Sequence, residues 1–138
     1  KAYGVDIASV EKGLTDKYKS EKCIFMPAGA TKLELENNSV NIISAFLSLE
    51  HVFEEDIDTL LAEFNRVCTD GYIFQISHGS SNNKNLRKTA HNLSWWYTKL
   101  EPYINIACLY HFPKDNYKWG RPPGSGLTRW VCSLKDKK

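Results

Sequence analysis

The sequence predicts an α/β domain in which helices cover a mostly parallel sheet. Three observations predict it. Short segments rich in β-branched and aromatic residues alternate with segments whose apolar residues recur every three to four positions. Residues 40–47 (VNIISAFL) are nearly continuous in apolar residues, as a strand buried on both faces of a parallel sheet reads. The chain closes on two strand-like runs in succession, after a series in which strands and helices alternate. With 138 residues, 42% of them apolar, there is material for one packed core. One domain over residues 1–134 is expected, with 135–138 (KDKK) as a charged tail.

The elements follow in order. Residues 2–7 form a short strand that stops near Asp6, and Ser9 can cap a helix from about Val10 to Tyr18. Residues 23–26 are a second strand, stopped by Pro27, and residues 28–38 form a loop with Gly, Asn and Ser. The third strand is 40–47. Ile57, Leu60, Leu61, Phe64 and Val67 then make one helical stripe, with Glu54, Glu55 and Asp56 at its positive end. Asp70-Gly71 is expected to end that helix, Gly71 taking a left-handed conformation. A strand over 72–77, a polar loop over 78–84 and a helix around 93–103 carrying Trp95, Trp96 and Leu100 come next. The strands 104–112 and 127–134 close the domain across a loop rich in proline and glycine.

Composition excludes several functions. The net charge is +2, too small for a protein that coats a polyanion with dense Lys and Arg. No run approaches the length of a membrane span. The chain opens on Lys1 without a secretory leader, so a trimmed start is expected. The four cysteines, Cys23, Cys68, Cys108 and Cys132, stand apart without the C-x-x-C spacing of a zinc or redox site. Three of them lie in apolar stretches, where a thiol is a small core group, and a reducing, cytoplasmic setting follows. Two N-x-S triplets, at Asn37 and Asn92, point the other way and are of a kind common by chance. No His/carboxylate cluster has metal-ligand spacing, and no serine sits in a G-x-S-x-G elbow, so neither a metal nor hydrolase chemistry is expected.

In open α/β sheets ligands lie beyond the carboxyl ends of the strands. Asp6 follows the first strand and can accept two hydrogen bonds from a ribose diol. Ala28-Gly29-Ala30 follows the second and lets a flat ring approach the backbone. Ser48-Leu49-Glu50-His51 follows the third, and Ser77-His78-Gly79 the fourth. Together these ends suit a nucleoside-like ligand lying across the sheet.

The runs Gly29-Ala30-Thr31-Lys32-Leu33-Glu34-Leu35, Asn38-Ser39-Val40-Asn41-Ile42-Ile43-Ser44, Leu49-Glu50-His51-Val52 and Glu63-Phe64-Asn65-Arg66-Val67 resemble, as a set and in register, the class I S-adenosylmethionine-dependent methyltransferases. The likeness is to their small-molecule, type 11-like branch. Residues 3–8 resemble that family's second strand, and the similarity spans about residues 2–77. The resemblance implies a Rossmann-like sheet with helices on both faces and S-adenosylmethionine as cofactor. It implies donor contacts from Asp6 and Ile7, from Gly29 and Ala30 beside the adenine, and from Ala45, Phe46 and Leu47 beside the sulfonium. Ser48, His78 and Trp95 would face a small-molecule acceptor, and Glu63 and Arg66 would belong to the framework. The chain departs from the family at Gly29, where an acid usually stands, and at Asn41, where an Asp usually lies. The glycine-rich first loop is not found upstream of Asp6. In such a fold a first strand would lie between residues 2–6 and 40–47, and a preceding segment is expected to supply it.

The expected reaction is methyl transfer to an oxygen or nitrogen of the acceptor. His51 is the candidate general base that takes a proton from the acceptor; the plainer reading makes it a buried residue that orders its turn. Trp95 and Trp96 point about 100° apart, so one packs inward and the other faces a pocket or interface. Two other readings stand beside the enzyme: an inactive relative acting as a binding or scaffold subunit, and an RNA-binding face made by Lys84, Arg87, Lys88 and Lys99. A solvated helix surface explains those cations equally well, and nucleic acid is disfavoured.

Overall fold

The structure, a computed structural model, describes residues 1–6, 23–27, 29–78, 87–112 and 126–135. Its strands are β1 (Ala2–Asp6), β2 (Cys23–Pro27), β3 (Val40–Phe46), β4 (Cys68–His78), β5 (Ile104–Phe112) and β6 (Gly126–Leu134). Its α-helices are α1 (Ile57–Val67) and α2 (Leu93–Leu100), and single 3-10 turns at Leu49–His51 and Glu54–Asp56 lead into α1. The helix expected near Val10 to Tyr18 lies outside the described residues, as does the loop expected over 78–84 beyond His78.

The strands fall into two sheets. β1 and β2 pair in parallel, while the larger sheet runs β3-β4-β6-β5. β3 and β4 are parallel; β6 is antiparallel to both β4 and β5. β3, β4 and β5 therefore run the same way and β6 is reversed, so the larger sheet is mostly parallel, as expected, with one antiparallel strand among the described residues. β6, the last strand, enters between β4 and β5 and runs antiparallel to both.

The core lies on one face of the larger sheet. Tyr72, Phe74 and Ile76 alternate along β4 onto that face, where Trp130 of β6 stands opposite Phe74. The α1 stripe packs there, Phe64 lying 6.3 Å from the Tyr72 ring and 6.2 Å from Phe74. Trp96 and Leu100 of α2 are buried in the same cluster, and Tyr97 approaches Trp130. Asn92 caps α2, its side chain accepting from the Trp95 amide at 3.0 Å. The triplet at Asn92 is thus put to use as a helix start. Both described helices sit on this face.

The opposite face carries Ile42, Ser44 and Phe46, with Ile42 57% and Phe46 50% exposed. The expectation that residues 40–47 are buried on both sides is corrected: among the described residues β3 shows ordinary alternation, one face packed and the other open. Gly71 is a second correction. The helix ends at Val67, and Gly71 lies within the eleven-residue β4. A Cβ there would stand 2.1 Å from the Cys132 carbonyl oxygen, so the glycine permits close approach of β6 rather than a left-handed turn. Cys68 and Cys132 are buried free thiols, and burial pushes the Cys132 thiol up to about 12, which makes it inert.

Candidate functional site

The site is built from strand ends. β1 and β2 run parallel in the register Asp6 opposite Pro27, which sets their carboxyl ends side by side. A cleft of about 710 Å³ lies between β1 and β3, lined by Ala2, Tyr3 and Val5 on one side and by residues 39–46 on the other. Ala30, Ala45, Phe46 and Ser48 line it where the strands end. The cleft runs along both strands, where a further strand is expected, so its end at Ala30, Ala45, Phe46 and Ser48 is the part that suits a ligand.

The segment after β2 is stapled to α1. Arg66 donates to the Leu35 carbonyl at 2.8 Å, the Leu33 carbonyl at 3.1 Å, Asn37 Oδ1 at 2.8 Å and both oxygens of Glu63. Glu63 Oε1 in turn accepts the Leu33 amide at 2.7 Å. The guanidinium beside Glu63 holds its carboxyl below the ordinary value. This network fixes the chain a few residues past Gly29 and Ala30, which is the framework role expected for Glu63 and Arg66. Among the described residues, a Cβ on Gly29 would meet only Thr31 Oγ1, at 3.8 Å. No crowding accounts for the missing acid at that position. Asn41 bonds Asp70 and Thr69 at the amino end of β3, the end away from Ser48.

The turn after β3 is strained. Leu47 has φ 53°, an uncommon value for a branched side chain, and its amide donates to the Gln75 carbonyl at 2.7 Å. Phe46 and Leu47 are exposed there, and the Ser48 hydroxyl donates to the Phe46 carbonyl. His51 is exposed, so the reading of a buried, turn-ordering histidine is corrected. The buried residue is its neighbour Glu50, 1% exposed. Sequence reasoning passed over Glu50 because acids are rarely buried.

The remaining expected residues lie apart. His78 is buried, its Nε2 2.8 Å from Thr128 Oγ1, and it joins β4 to β6. Trp95 stacks on His91 at 4.1 Å with Lys99 over its ring, on the side of α2 where His91 pairs with Glu54. Neither is in the cleft lining, and Asp6, Gly29, Leu47 and His51 flank the cleft in sequence without lining it. Ile7 lies outside the described residues. Among the described residues no group of His, Cys, Asp and Glu is placed to hold a metal ion, and no helix is long and apolar enough to cross a membrane.

Of the residues expected at the strand ends, Ala30, Ala45, Phe46 and Ser48 meet at the cleft. The comparisons with known proteins give the family and the fold. A family model described as a methyltransferase domain matches residues 1–75. A protein from Pyrococcus horikoshii shares the fold with a TM-score of 0.75 at 13% identity, over 98% of this chain and 72% of that one. The cyclase SpnF matches with a TM-score of 0.72 at 12% identity, over 95% of this chain and 64% of its own. The 1,6-didemethyltoxoflavin-N1-methyltransferase of Burkholderia thailandensis, solved with 1,6-didemethyltoxoflavin and S-adenosylhomocysteine, matches with a TM-score of 0.71 at 14% identity. That alignment covers 97% of this chain and 61% of that one. No curated protein matches the chain in sequence.

Proposed function

We propose, from the premise that the chain belongs to the methyltransferase domain family and is S-adenosylmethionine-dependent, that its strand-end cleft aligns this donor with an oxygen or nitrogen of a small-molecule acceptor. The observation that carries the reading is the convergence of Val5, Ala30, Ala45, Phe46 and Ser48, from three strand ends, on one cleft. S-adenosylmethionine supplies an activated methyl group on a sulfonium. Asp6 accepts hydrogen bonds from the ribose hydroxyls. Gly29 and Ala30 border the flat ring without obstructing it. Ala45, Phe46 and Leu47 form an apolar wall that excludes water, and Ser48 faces the acceptor side. As the methyl–sulfur bond breaks and the new bond to the acceptor forms, the His51 imidazole takes the acceptor's proton. Most of the rate comes from alignment, with the base as an added factor. His78 and Trp95, expected beside the acceptor, lie off the cleft and contribute through packing.

A second reading, a binding or scaffold subunit without turnover, is favoured by one observation: Gly29 stands where the family usually carries an acid, which leaves the adenine amine without that acceptor. Calorimetric titration of S-adenosylhomocysteine separates the two readings. Binding is expected, weakened about tenfold or more by Asp6→Ala, the cost of a lost charged hydrogen-bond acceptor. Gly29→Asp, for which there is room, is expected to tighten it several-fold by giving the exocyclic amine an acceptor. A folded sample that takes up no ligand would decide for the scaffold.

A further inference from the structure

Glu50 is buried, yet nothing in the proposed chemistry uses it. Its Oε1 accepts the Ser77 amide at 3.3 Å, where β4 nears its end. Its Oε2 is buried without a hydrogen-bond partner among the described residues. Its backbone carbonyl accepts the amide of Thr89 at 3.1 Å, and Thr89, fully buried, donates its hydroxyl to the Val52 carbonyl at 2.6 Å. Three segments distant in sequence therefore meet at one residue: the turn after β3, the end of β4 and the approach to α2. The same turn holds the left-handed Leu47, whose strain persists only if surrounding contacts impose it. Burial raises the Glu50 carboxyl, against the Glu50 and Ser77 amides and the charges of His51 and Arg87. A side chain this costly to bury needs a compensating role.

We propose that Glu50 is a positioning residue. Its carboxyl and carbonyl clamp the 47–51 turn between β4 and residue 89, and the clamp holds Leu47, Ser48 and His51 at the carboxyl end of β3. The functional half of this proposal rests on the donor-binding reading above; the structural half does not. Two measurements on the full chain test it. In amide hydrogen exchange, Glu50→Ala is expected to speed exchange at Leu47, Ser77 and Thr89 together, by about tenfold, while Ile73 and Phe74 in mid-β4 change little. Glu50→Gln retains an acceptor at the Oε1 position and is expected to keep wild-type protection. Thr89→Val, which preserves shape and removes only the hydroxyl bond to Val52, is expected to raise exchange at Leu47 several-fold, and it carries the test if Glu50→Ala does not fold.

In calorimetry, Glu50→Ala is expected to weaken S-adenosylhomocysteine about tenfold, and Glu50→Gln to restore the affinity. Leu100→Ala, a core truncation away from the turn, is expected to lower the melting temperature without changing the affinity. Equal loss of protection throughout β4, or an unchanged Leu47 in Thr89→Val, would overturn the clamp. Unchanged affinity in a Glu50→Ala protein whose clamp has loosened would overturn its positioning role. If the wild-type protein takes up no S-adenosylhomocysteine, the donor reading fails, and the exchange data still decide the clamp.

Discussion

The half of the molecule built on β4, β6 and β5 and the half built on β1 and β2 solve the burial problem differently. In the first, two amphipathic helices cover one sheet face, and Tyr72, Phe74, Trp96 and Trp130 are almost wholly removed from water. In the second, two five-residue strands pair only with each other among the described residues, and the cleft separates them from β3. The first half gains its stability from apolar area. The second offers polar and small groups at strand ends beside a cavity. Stability and binding are thus drawn from different regions, with the 47–51 turn and the Arg66 network as the joints between them.

The comparison can be broken most forcefully in the core. Trp130→Ala removes the largest side chain at the centre of the sheet and is expected to cost about 3–5 kcal/mol, read as a shift in the urea unfolding midpoint. Gly71→Ala comes next, at about 1–3 kcal/mol, because the added methyl must push back the β6 backbone. Its signature is lost exchange protection where β4 meets β6 near Cys132.

The joints respond to pH. The Glu63 carboxyl is lowered below its ordinary 4.5 by the hydrogen bond from Arg66. Its contribution to stability is therefore present above 4.5 and is lost as pH falls through the lowered value. Melting temperatures measured from pH 6 to pH 3 are expected to fall less steeply in Glu63→Gln than in wild type. The smallest effect belongs to the open face of β3. Ile42→Thr, at a position 57% exposed, is expected to shift stability by no more than about 0.5 kcal/mol. A larger loss would show that this face is covered in solution.

Much of this was legible in the sequence. The period of Ile57, Leu60, Leu61, Phe64 and Val67 set α1, and the run 104–112 set β5 to the residue, because local periodicity reports one-sided burial directly. The strand ends themselves were legible too, β1 stopping at Asp6 and β2 at Pro27, because an acid and a proline close short apolar runs. Gly71 was misread because Asp-Gly has the same local chemistry at a helix stop as in a strand. Only the neighbouring strand made it a close-approach glycine. His78 and Trp95 were misplaced for a related reason. Whether a histidine at a strand end meets solvent or Thr128 depends on β6, which is some fifty residues away in sequence.

The sequence by itself determined which segments are strands and helices, which faces are apolar and where the candidate donor-binding groups stand along the chain, because these follow from local period and composition. Tertiary structure alone decided that β6 enters between β4 and β5, that β1 and β2 form a sheet apart from β3, and that Glu50 rather than His51 is buried. Those outcomes depend on contacts between residues far apart in the chain, whose energies no local pattern encodes.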